Sequence, residues 1–131
     1  MIVILDVSAA IEIILQKSNY LLLQKAVLEA DMVLAPDIFI PEISNVAWKY
    51  HKLGNFSHEQ SVNLSHSGLM LIDQFVSSED LWRESLSEAV ANDHSVYDLL
   101  YLICARRNDG IFLTIDKKLQ ILAKKLRIKI M

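Results

Sequence analysis

Asp6, Glu42, Asp98 and Asp116 are carboxylates from four separated parts of the chain, each placed where a strand-like run ends or a helix-like run begins. Asp6 ends IVIL, Glu42 follows Pro41, Asp98 lies in the first turn of HSVYDLLYLICAR, and Asp116 follows IFLTI. In an open parallel sheet, ligands bind outside the carboxyl ends of the strands, so these four positions are the ones able to converge on one edge. Crowded carboxylates raise one another's pKa and destabilise the fold unless a cation intervenes. A group of three or four therefore points to a hard divalent ion such as Mg²⁺ or Mn²⁺, which takes oxygen ligands. Each acid also has a local alternative. Asp6 and Asp116 suit N-caps, Glu42 suits a helix dipole, and Asp98 fits a Ser95-Val96-Tyr97-Asp98 capping box.

Other chemistries find little support. His51, His58, His66 and His94 show no HExxH or paired metal spacing and read as surface or helix-end residues. The single cysteine, Cys104, lies in an apolar helical stripe, which suits a small core residue better than a nucleophile.

The elements that must position the acids follow from hydrophobic period and punctuation. Residues 1–5 read as a buried strand and 8–15 as a helix, with Ser18 as the N-cap of a second helix over 19–29. Residues 32–34 are strand-like. Pro41 should open a helix running to about Leu53, with Gly54 closing it. Ser57 with Gln60 forms a capping box for a helix to about Ile72. Residues 74–78 are ambiguous, 79–91 and 95–107 are helical, and Asp109-Gly110 marks a turn. A strand over 111–115, a helix over 117–126 and a closing strand over 128–131 complete the chain. In the 95–107 helix, Val96, Leu99, Leu100 and Ile103 share one apolar stripe, which would place Asp98 in largely buried surroundings. Strands alternating with helices imply an α/β fold with a parallel sheet covered on both faces.

With 131 residues, 53% of them hydrophobic, the chain suits a single domain over 1–131. The apolar opening carries Asp6 and Glu12 and lacks a basic leader region, so no membrane span or secretion signal is expected and the location should be cytoplasmic. Net charge is −3, unevenly spread: residues 1–100 hold 5 basic against 14 acidic side chains, and residues 101–131 hold 8 against 2. The basic C-terminal part suits phosphate contacts or, equally, the C-terminal dipole of a last helix. Trp48 and Trp82 are expected in the core, where large aromatics concentrate.

Asp6 with Ser8 in ILDVSAAIE, Glu42 in PDIFIPEISNVAWKY, Asp98 in HSVYDLLYLICAR, and Thr114 with Asp116 in LTIDKKL resemble, in order and spacing, the acidic motifs of the PIN domain in the form of VapC-type toxins. The similarity runs from the first strand to the last helix, with residues 55–92 adding no diagnostic motif. The resemblance implies a PIN-like three-layer fold with a central parallel sheet flanked by helices. It further implies a Mg²⁺- or Mn²⁺-dependent ribonuclease, usually the toxin of a toxin–antitoxin pair. Asp6, Glu42, Asp98 and Asp116 would then bind the metal and carry catalysis, with Ser8 and Thr114 orienting them from behind. Lys117 and Lys118, beside Asp116, are the candidates for meeting the RNA. An antitoxin protein and a second copy of the chain, as a homodimer, are the partners implied; Tyr20, Leu21, Leu22 and Leu23 are candidate contacts. The rivals are a PIN-fold RNA- or protein-binding module without chemistry, and a phosphotransfer domain. The latter fits poorly, because DVSAA lacks the second aspartate of a DxD pair.

Overall fold

Ile2–Leu5 (β1) is the strand around which the sheet is built, and the computed structural model describes its setting across residues 1–131. Its side chains from Val3 to Leu5 are fully buried, as expected of a parallel strand covered on both faces. Met32–Pro36 (β2) pairs with it in parallel on one side and Ile111–Leu113 (β4) on the other, while Gln74–Val76 (β3) extends β2 at the edge. The order is β3-β2-β1-β4, all parallel.

Seven helices flank this sheet: Val7–Ile14 (α1), Tyr20–Glu29 (α2), Phe39–Gly54 (α3), His58–Met70 (α4), Ser78–Asn92 (α5), Val96–Arg107 (α6) and Lys117–Lys125 (α7). The result is a three-layer α/β arrangement. Helix α6 lies against β1, β2 and β4 and carries α5 on its back, whereas α1 packs with α2, α3 and α4. Phe39, Ile43, Leu99, Leu102, Ile103 and Phe112 are among the largest fully buried side chains, so the core fills both sides of β1. Cys104 is buried there too, and burial pushes its thiol up to about 12. No helix is long and apolar enough to cross a membrane.

Several local expectations are corrected. Helix α3 begins at Phe39, so Pro41 lies inside its first turn, where no intrahelical N–H is yet required. Gly54 is still helical, and the left-handed residue that ends the helix is Asn55, at φ 64°. Asn tolerates that conformation because its short amide bonds locally. The residue preceding α2 is Asn19, not Ser18, and it makes no side-chain cap. The strand after Gly110 stops at Leu113, and the closing strand over 128–131 reduces to one bridge, Phe112 to Ile130. The ambiguous segment is β3. Trp48 and Trp82 are about half exposed instead of core, each lying under a cation, Lys52 and Arg83 respectively. The Ser57/Gln60 capping box forms as expected.

Candidate functional site

The strand order reverses at β1: β2 and β3 lie to one side and β4 to the other. Such a reversal leaves a crevice at the carboxyl ends of the two strands that flank it, here β1 and β4. Asp6 follows β1, and Thr114 to Asp116 follow β4, so the first and last of the expected residues meet there. The Asp6 N–H donates to the Leu113 carbonyl at 3.2 Å, which ties the two strand ends together.

Asp6 is the most enclosed of the four acids, at 5% exposure. As N-cap of α1 its Oδ1 accepts from the Ala9 N–H at 2.9 Å and from the Ser8 hydroxyl at 2.7 Å. Ser8 Oγ in turn lies 3.2 Å from Thr114 Oγ1 and accepts from the Ile115 N–H at 3.2 Å. Thr114 Oγ1 also accepts the Asp116 N–H at 3.1 Å, so Ser8 and Thr114 stitch the β1 and β4 ends into one wall. Burial nevertheless dominates these bonds and pushes the Asp6 carboxyl up to about 6, with Glu42 adding like-charge repulsion.

Glu42 enters from the first turn of α3. Its Oε1 accepts the Tyr101 hydroxyl at 2.6 Å, reaching across to α6. Desolvation raises its pKa and Asp98 raises it further, while the Tyr101 bond opposes both. Tyr101 is itself held neutral by burial and by Glu42, Asp6 and Asp98 around it.

Asp98 stands in the first turn of α6, with its side chain 36% exposed, so it borders the pocket instead of lying under the apolar stripe. The reciprocal capping box does not form. Ser95 Oγ accepts from the Tyr97 N–H, but the Ser95 N–H donates to His94 Nδ1 at 3.1 Å and not to Asp98. His94 Nδ1 is also 3.4 Å from Asp98 Oδ2, an ion pair only when that nitrogen is protonated and no longer accepts the Ser95 N–H, and the contact gives this histidine a place beside the site that its sequence spacing did not suggest. Desolvation raises the Asp98 pKa, His94 lowers it and Asp116 raises it.

Asp116 is the N-cap of α7, with Oδ1 accepting from the N–H groups of Lys118 and Leu119 at 2.9 and 3.3 Å. It is exposed, as are Lys117 and Lys118. Two of the local alternatives, Asp6 and Asp116 as caps, are thus realised together with the clustering, because a cap engages only one oxygen of a carboxylate that carries two.

The four acids form a row of like-charged neighbours: Asp6 beside Glu42, Glu42 beside Asp98, Asp98 beside Asp116. No three His, Cys, Asp or Glu side chains converge tightly enough to form a ready cage for one ion. The donor set itself is all oxygen and carries up to four negative charges with no cation among them. That chemistry fits a hard divalent ion and not a soft one.

Comparison with known proteins speaks to the architecture. No protein-family model matches the sequence, and no curated protein does. Among solved structures, the crystal structure of PAE2754 from Pyrobaculum aerophilum is similar, with a TM-score of 0.71 at 19% sequence identity, over 95% of this chain and 88% of that one. At that identity the likeness is one of fold.

Proposed function

We propose that the chain is a divalent-metal-dependent ribonuclease of the PIN-domain kind, hydrolysing RNA phosphodiester bonds as the toxin of a toxin–antitoxin pair. One observation supports this reading: four carboxylates from four separate chain segments stand near enough to one another to repel in pairs, and three of them have pKa values raised by burial and, to a lesser degree, by that repulsion. A fold has no structural need to concentrate charge in this way, and it costs stability unless a cation offsets it.

Asp6, Glu42, Asp98 and Asp116 would hold Mg²⁺ or Mn²⁺, and a bound ion of this class supplies an activated water and neutralises charge on the scissile phosphate. The protein's own part is positional. Ser8 and Thr114 fix the carboxylate of Asp6, α3 and α6 present Glu42 and Asp98 from opposite sides, and Tyr101 keeps Glu42 aimed inward. Lys117 and Lys118, next to Asp116, would meet substrate phosphates. Exposed Leu21, Leu22 and Trp48 offer apolar surface for an antitoxin or a second copy.

A second reading, a PIN-fold module that binds RNA or protein without chemistry, is favoured by the engagement of Glu42 with Tyr101 and of Asp98 with His94. Cleavage of labelled structured RNA decides between them. With Mn²⁺ or Mg²⁺ the wild type should cut, and cutting should vanish with EDTA and in Asp98→Asn. Silence of the wild type across a broad RNA panel, with metal bound, would favour the binding module.

A further inference from the structure

Beside the acidic row lies a groove of about 440 Å³, walled by α1 on one side and α3 on the other. Its inner end is Ser8 and Glu42, which belong to the site already described. From there α3 contributes Asn45 and Lys49, and α1 leads on to Lys17. Glu42, Asn45 and Lys49 are spaced three and four residues apart, so they line one face of α3, and Lys49 stands about 10 Å along the axis from Glu42.

Residues 1–100 hold only five basic side chains, and two of them, Lys17 and Lys49, stand in this one groove. Of the others, Lys25 approaches Glu29, while Lys52 and Arg83 cover tryptophan rings. Neither Lys17 nor Lys49 has a carboxylate within ion-pair distance, although this part of the chain is strongly acidic. Lys17 Nζ donates to the Tyr50 hydroxyl at 3.0 Å, a neutral partner that positions the ammonium without cancelling its charge and leaves it further N–H donors. Glu12, buried on the groove wall, accepts only a long 3.5 Å contact from the Asn19 N–H. It is an acceptor suited to a hydroxyl or amino donor and unsuited to a phosphate.

A carboxylate at the inner end, a lone acceptor and an amide on the walls, and two ammonium groups without a carboxylate partner at the outer end match a single nucleic-acid strand. Its sugar and base edges supply donors, and its phosphates lie a nucleotide or two from the reacting one. We infer that the α1–α3 groove holds the RNA strand flanking the scissile phosphate, with Lys17 and Lys49 contacting its backbone. This rests on the ribonuclease reading for the identity of the strand, and it adds a subsite whose lining includes neither Lys117 nor Lys118.

The test is binding of a labelled single-stranded RNA of mixed sequence, with Mg²⁺ present, in an Asp98→Asn background that prevents turnover, across a series of KCl concentrations. For single strands each phosphate contact contributes about 0.7 to the slope of log K against log salt, so Lys17→Ala/Lys49→Ala should lower that slope by about 1.4. Lys17→Arg/Lys49→Arg should retain it, and Lys25→Ala should leave it unchanged. A slope unaltered in the double alanine variant, or absence of RNA binding in the parent, overturns the groove assignment. Cleavage by the otherwise wild-type protein is measured alongside. Cutting with an unaltered slope removes the groove and keeps the nuclease, whereas a lowered slope without cutting keeps the groove and removes the nuclease.

Discussion

The Tyr101 hydroxyl and Glu42 Oε1 lie 2.6 Å apart, joining α6 to α3 across the row of acids. A hydrogen bond to a charged acceptor in a partly buried place is worth about 1.5 to 3 kcal/mol, less what solvent screening removes at a half-buried group. Tyr101→Phe should therefore destabilise the protein by about 1 kcal/mol in urea denaturation. Without that donor the Glu42 carboxyl should titrate higher still, a direction that carbon-detected NMR would register. An unchanged Glu42 titration would mean that the tyrosine does not hold the carboxylate in solution.

Asp6 makes a pH prediction whose sign is fixed by its raised pKa. The folded state favours the proton on Asp6, so the stability this brings is present below the unfolded value of 3.8 and is lost as pH rises through about 6. A shift of this size corresponds to roughly 3 kcal/mol. Asp6→Asn keeps a good N-cap acceptor and carries no charge. The variant should be more stable than wild type near neutral pH by about 1 to 2 kcal/mol, after the cost of a newly buried amide N–H. The advantage should shrink towards pH 4, and equal denaturation midpoints across that range would refute it.

Like-charge repulsion among the acids predicts the response to divalent ions. An ion that binds only the folded state at a hundred times its Kd stabilises by about 2.7 kcal/mol. Mn²⁺ or Mg²⁺ should raise the Tm of the wild type, and the increase should be lost in Asp6→Asn and Asp98→Asn. A Tm that climbs equally in all three proteins would place the ion elsewhere.

Gly68 lies where α4 meets α1 and α3, and a Cβ there would come within 1.9 Å of Ile43 Cδ1 and 3.6 Å of Ile14 Cδ1. Ile43 is fully buried and has little freedom to yield. Gly68→Ala gains up to about 1 kcal/mol of helix propensity, but overpacking costs about 1 to 3 kcal/mol. Net destabilisation is expected in urea unfolding, and a more stable variant would mean that the α1–α3–α4 junction relaxes easily.

Trp48→Ala offers a contrast. A buried aromatic costs about 3 to 5 kcal/mol on truncation, whereas a half-exposed one away from special features costs about 1 kcal/mol or less. Acrylamide should quench the fluorescence of Trp48 and Trp82 readily. A blue-shifted, poorly quenched emission from either would contradict its exposure.

The alternation of strands and helices, and the location of the four acids at strand ends or helix starts, were legible because period and punctuation report directly on backbone pattern. What the sequence hid was which residue absorbs an unusual backbone angle. Left-handed positions fall on Gln16, Asn55, Asp93, Asp109 and Arg127, and on none of the three glycines. Gly54 therefore misled as a helix stop. Gly110 is needed for space, since a Cβ would meet Ile4 Cδ1 at 2.4 Å. β3 was unreadable because three residues carry no period, and only pairing with β2 makes them a strand. The Ser95 to Asp98 pattern matched a capping box, yet His94, one residue outside the motif, took the Ser95 N–H. The cations over Trp48 and Trp82 could not be foreseen from helical period alone.

The order of synthesis sets when the acidic row can exist. β1 is made first and lies in the middle of the sheet, but its two neighbours are β2, about thirty residues on, and β4, beginning at Ile111. Asp6 cannot meet Leu113 and Thr114 until the segment beyond Gly110 has been made and is free to dock. A growing chain therefore carries Asp6, Glu42 and Asp98 without the wall that sets Asp6 in place. Parallel pairing over so long a separation is also slow to form. The wall around Asp6 is thus among the last parts of the molecule to form, completed only when β4 docks beside β1.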